Sequence, residues 1–68
     1  MEFRAAVEDC GDVTSSDVVP LGKTARQIAR SRGLQAREAS EEFHKLALDC
    51  GIDAGYAVFI RDAVRKMR

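Results

Sequence analysis

Positively charged side chains are concentrated in one short part of this chain. From Gly22 to Gly33 the sequence reads GKTARQIARSRG, with Lys23, Arg26, Arg30 and Arg32 and no acidic residue. Arg37 follows before Glu38 supplies the first carboxylate. Cations spaced in this way can pair with successive phosphates of a nucleic-acid backbone. Beyond Gly33, Gln35 and Arg37 are residue types that read base edges through paired hydrogen bonds. The nucleic-acid-binding candidates are therefore Lys23, Arg26, Arg30, Arg32, Gln35 and Arg37. The same face would equally suit plain solvent exposure.

Other chemistry finds less support. Gly22-Lys23-Thr24 matches the end of a phosphate-binding loop, but the first glycine of that motif would fall at Asp17, a repelling charge. His44 is the single histidine, and no serine or cysteine is fixed beside it by spacing, so a catalytic role lacks a positioned partner. Cys10 and Cys50 are too few for a structural zinc site. They read as reduced, small core residues of a cytoplasmic protein. No catalytic residue, metal ligand or cofactor is expected, and the chain reads as non-enzymatic.

Length and charge set the frame. Sixty-eight residues make one domain, 1–68, near the lower size limit for folding alone. Oligomerisation is the natural source of further buried area, and a homodimer is expected. The formal net charge is zero, yet it is divided unevenly. Residues 1–20 carry Glu2, Glu8, Asp9, Asp12 and Asp17 against Arg4, a net of minus four, which residues 21–68 balance with plus four. MEFRAAVEDC has charges where a secretory leader would be apolar. No apolar run approaches the ~20 residues of a membrane span, so no membrane partner is expected.

Periodicity places these residues on helices. Residues 25–32 read as a short helix with Thr24 and Gln27 as its capping box and Gly33 as its stop. Ala36, Ala39, Phe43, Leu46, Ala47 and Cys50 mark a helix over 35–49. A third runs over 54–67 with Asp53 as N-cap, Tyr56, Phe59, Ile60, Val64 and Met67 on its apolar side, and Arg61, Arg65, Lys66 and Arg68 toward its end. Residues 1–21 form an arm of uncertain order. Phe3, Ala6, Val7 and Cys10 suit a short helix, while EFRAAV could pair as an edge strand and DVV could form another. Pro20 argues against a helix interior. The expected fold is all-α, a small three- to four-helix domain with a loop-rich N-terminal segment. Its core is expected to contain Ile28, Leu34, Phe43, Leu46, Phe59, Ile60 and Val64.

Two short resemblances bear on function. QIARSRGLQAREA resembles a helix-turn-helix, with Ile28 and Ala29 in the first helix, Gly33 at the turn and Gln35, Arg37 and Glu38 opening the second. Arg32 and Glu42 depart from it, since apolar residues usually stand there. EEFHKLALDCGIDAGYAVFIRDAVRK resembles the paired helices of ribbon-helix-helix repressors and antitoxins, through Leu46, Ala47, Gly51, Ile60, Arg61 and Ala63. That family implies an intertwined dimer whose paired strands enter the major groove. Here SRGLQAREA stands where the strand should be, and it lacks alternation.

The function expected from these features is a small DNA-binding regulator acting on double-stranded DNA. The alternative is a protein-binding regulator that docks through a part-exposed stripe of Tyr56, Phe59 and Met67.

Overall fold

A computed structural model describes residues 2–67. Its elements are four helices, α1 (Phe3–Cys10), α2 (Ser15–Ser31), α3 (Ala36–Asp49) and α4 (Ala54–Arg65), and the described residues contain no strand. The all-α expectation holds. Arg68 lies outside the described residues.

The N-terminal segment is more ordered than its composition suggests. Its first part takes the helical alternative, so EFRAAV does not pair as an edge strand. DVV is helical too, because α2 begins ten residues before the expected start, at Ser15 rather than residue 25. Thr14 and Asp17 explain that start. The Asp17 carboxylate accepts hydrogen bonds from the Thr14 amide at 3.0 Å and from its hydroxyl at 3.1 Å. An acid at this position also complements the partial positive charge of the helix N-terminus. Thr24, the expected cap, is instead an interior residue. Pro20 sits inside the helix and deprives the Ser16 carbonyl of its usual amide partner. Ser16 is exposed, so water can replace that bond.

α3 and α4 match their expected positions closely. Two glycine turns of the same kind end α2 and α3. After α2, Gly33 has φ of 68°, the Gly33 amide donates to the Arg30 carbonyl and the Leu34 amide to the Ala29 carbonyl. After α3, Gly51 has φ of 84°, with bonds from Gly51 to Leu48 and from Ile52 to Ala47. Each turn satisfies two carbonyls that the helix end would leave orphaned, and each tucks an apolar residue, Leu34 or Ile52, against the core. Asp53 then caps α4, accepting from the Gly55 amide at 3.0 Å.

The core forms where α4 packs on both α2 and α3, while α1 closes over α2. Alanine dominates these contacts: Ala25, Ala29, Ala39, Ala47 and Ala57 have no exposed surface. Small side chains let the helix backbones approach closely. The large members are Phe3, Leu21, Phe43, Ile60 and Val64. Phe3 and Phe43 meet edge-on, centroids 5.4 Å apart and planes inclined by 66°, a geometry worth about 0.5–1.5 kcal/mol beyond simple burial. Ser40 is fully buried, and its hydroxyl donates to the Arg37 carbonyl at 2.7 Å.

Four expected core positions differ. Ile28, Leu34 and Leu46 are only partly buried at the core's edge. Phe59 is not core at all, with 51% of its surface exposed. The buried strip of α4 runs through Ala57, Ile60 and Val64, and Phe59 projects about 100° away from Ile60 around the helix.

Candidate nucleic-acid interface

The helical frame gathers the basic residues. Lys23, Arg26 and Arg30 follow one another by three and four residues, which puts them on one face of α2. Lys23 and Arg30 are exposed and Arg26 is half-buried. The glycine turn at Gly33 then redirects the chain so that α3 opens beside the end of α2. A shallow depression at this junction is lined by Arg30, Gly33, Leu34, Gln35, Ala36 and Met67. A second, next to it through Ala36, is lined by Arg37 and Arg65. A third joins Arg26 to Lys66 between α2 and α4.

These three depressions outline a single basic end of the molecule, formed by the end of α2, the start of α3 and the end of α4. It contains Arg26, Arg30, Gln35, Arg37, Arg65 and Lys66, with Lys23 one turn farther back along α2 and one carboxylate, Asp62, lining the depression between Arg26 and Lys66. Arg65 and Lys66 were missed in the sequence as members of the site. Their late position on α4 reads there as a complement to the helix dipole. Only the antiparallel return of α4 along α3 brings them beside Arg37.

Arg32 belongs to a different environment. Its guanidinium pairs with the Glu42 carboxylate at 2.9 Å. The two residues that depart from the helix-turn-helix pattern are thus partners of each other. The other ion pair among the described residues joins Arg61 to Asp62 at 3.2 Å. Lys23, Arg26, Arg30, Arg37, Arg65 and Lys66 take part in no ion pair among those residues. Gln35 precedes α3 without a side-chain hydrogen bond to the helix. Glu38 in the first turn of α3 complements the partial positive charge of the helix N-terminus.

The opposite end is acidic. Where α1 and α3 finish and α4 begins, a depression is lined by Asp12 and Asp53 along with Val7, Cys50 and Ile52. Asp9 and Asp49 lie close by in sequence. The zero net charge thus conceals an uneven distribution of charge over the fold. Cys10, on the acidic side, is a free thiol, as is Cys50. Partial burial, followed by the nearby carboxylates of Asp17 and Asp9, pushes the Cys10 pKa above its ordinary value.

The remaining candidates separate. His44 is half-buried on α3 beside the buried Phe43. No group of three or more His, Cys, Asp or Glu side chains among the described residues could hold a metal ion. Of the apolar trio proposed as a docking stripe, Phe59 is exposed, Tyr56 is half-buried, and Met67 is buried with 8% of its surface accessible. They do not form one exposed stripe. Among the described residues no helix is long and apolar enough to cross a membrane.

No protein-family model, no curated protein and no solved structure matches this chain.

Proposed function

We propose that this protein is a small, cytoplasmic, non-enzymatic regulator that binds double-stranded DNA through its basic end. One observation carries the reading: cations from three helices converge on one end without carboxylate partners among the described residues. Phosphates are the ligands such a surface suits best, since each contact releases condensed counterions.

The charges also favour one orientation. α3 enters the major groove by its N-terminus, with Gln35 and Arg37 at the base edges. The N-terminus of α3 adds partial positive charge there. Glu41 and Glu42, farther along α3, would be repelled by phosphate and stay clear of the groove. Lys23, Arg26 and Arg30 then meet one backbone, and Arg65 and Lys66 the other. This is a helix-turn-helix-like mode. The ribbon-helix-helix mode lacks its strand among the described residues. A homodimer would present two such ends to paired half-sites.

Titration of a labelled duplex by fluorescence anisotropy at two salt concentrations tests the proposal. Binding should weaken steeply with salt and be lost in Arg26→Ala/Arg30→Ala at unchanged helical content. Absence of salt-sensitive binding at micromolar protein rules the reading out.

A further inference from the structure

Among the described residues three large hydrophobic side chains are exposed, and two of them lie together. These are Val19, Leu48 and Phe59, and Val19 and Phe59 face one groove between α2 and α4. Val19 is 50% exposed on one wall and Phe59 51% on the other. Ala63 contributes to the lining between them. The groove has a volume of about 340 Å³, at the lower end of cavities that hold a ligand group.

Its rim is charged in a selective way. Arg26 comes from α2, and Lys66 and Asp62 from α4. Asp62 is already held by the Arg61 guanidinium, through bonds of 3.2 and 3.3 Å. Neither rim cation has a carboxylate partner among the described residues. The groove therefore offers an apolar slot between two available positive charges.

We infer that this groove docks an acidic amphipathic helix of a partner protein, with bulky apolar side chains on Val19, Phe59 and Ala63 and carboxylates on Arg26 and Lys66. Charge favours this occupant over a second copy of the chain, because the rim carries two cations against one carboxylate that Arg61 already holds. Two copies joined groove to groove would bring like-charged rims together, whereas an acidic helix meets both cations with opposite charge. Apolar anchors at three- and four-residue steps suit a groove between two helices. The groove is also firmly built, because α2 and α4 are in close contact at Gly22 and Ala63. This inference does not depend on nucleic-acid binding. Arg26 and Lys66 border the basic end as well, so a docked acidic helix would compete with any anion bound there.

Two labelled synthetic helices of about 16 residues, long enough to be helical with favourable residues, provide the test. Both carry leucines at three- and four-residue steps. One is flanked by glutamates and the other by lysines. The glutamate peptide should bind the whole protein in the micromolar range, about tenfold more tightly than the lysine peptide. Phe59→Ser should weaken it about tenfold, and Val19→Ser in the same direction, with amide shifts at Val19, Phe59, Ala63 and Lys66. Both substitutions fall at half-exposed positions, and unchanged far-UV circular dichroism would show that the variants fold. Equal binding of the two peptides, no binding of the glutamate peptide at ~100 μM, a range that detects even weak docking, or indifference to both serine variants would overturn the inference. Self-association that protects Phe59 in sedimentation and exchange measurements would overturn it too, and would assign the groove to a second copy.

Discussion

Gly22 of α2 faces Ala63 of α4 so closely that a Cβ placed on the glycine would stand 3.1 Å from the alanine Cβ. This contact accounts for the glycine of the Gly22-Lys23-Thr24 sequence. It is buried inside a helix and serves a helix crossing, not a phosphate loop. Lys23 and Arg26 are carried outward on the same helix that Gly22 seats against α4, so the crossing fixes how the basic end is put together.

Substitution of Gly22 should separate two opposing effects. Alanine improves helix propensity by about 1 kcal/mol, and the tight contact cancels much of that gain. Valine adds branches to the same contact, where overpacking costs about 1–3 kcal/mol. Gly22→Val should therefore lower stability in urea, and Ala63→Gly should partly restore it. Additive behaviour of the two substitutions would show that the residues do not press on each other.

Arg32 and Glu42 make a second test. The pair is about half-exposed, so breaking it should change stability by less than about 1 kcal/mol. Because the pair stands apart from the basic end, Glu42→Gln should leave DNA affinity and its salt slope nearly unchanged. Arg32→Ala should likewise cost much less affinity than Arg30→Ala. Affinity measured at several salt concentrations checks this, and a loss with Arg32→Ala as large as with Arg30→Ala would contradict the separate placement of the pair.

Much of this arrangement is legible in the sequence, and the omissions have physical causes. α3 and α4 combine apolar periodicity with glycine stops and, at Asp53, an N-cap whose carboxylate meets the Gly55 amide at 3.0 Å. α2 hides its first half because Pro20 and Gly22 are poor helix residues, and Thr14 with Asp17 was the capping signal that outweighs them. Phe59 was misplaced because α4 has more apolar residues than its buried strip can use. The basic end was half visible. Lys23, Arg26, Arg30, Gln35 and Arg37 are near one another in sequence, whereas Arg65 and Lys66 join them only through the fold.

The Phe3–Phe43 contact ties α1 to the rest of the molecule. Phe43→Ala should cost about 3–5 kcal/mol, a large part of the total stability of a domain this small. Loss of cooperative thermal unfolding would register it. Phe3→Ala should be milder if α1 can detach while α2, α3 and α4 stay packed, and amide exchange would then rise first in Phe3–Cys10.

Cys10 provides a pH-dependent readout. Its raised pKa keeps the thiol protonated over a wider range in the folded state than in the unfolded chain. That contribution to stability is present below the unfolded thiol pKa and is lost as pH rises through the folded one. Alkylation at mildly alkaline pH should be slower for Cys10 in the native protein than in urea. A faster native reaction would contradict the combined influence of burial, Asp17 and Asp9 on the thiol.

On the proposed reading the basic end, not the molecule as a whole, meets DNA. Backbone amide shifts of the labelled protein, followed during titration with a short duplex, test it most directly. Changes should cluster at Lys23–Arg30, Gln35–Arg37 and Arg65–Met67, with Asp12, Asp49 and Asp53 undisturbed. Shifts centred on the acidic end, or none at micromolar concentrations, would contradict it.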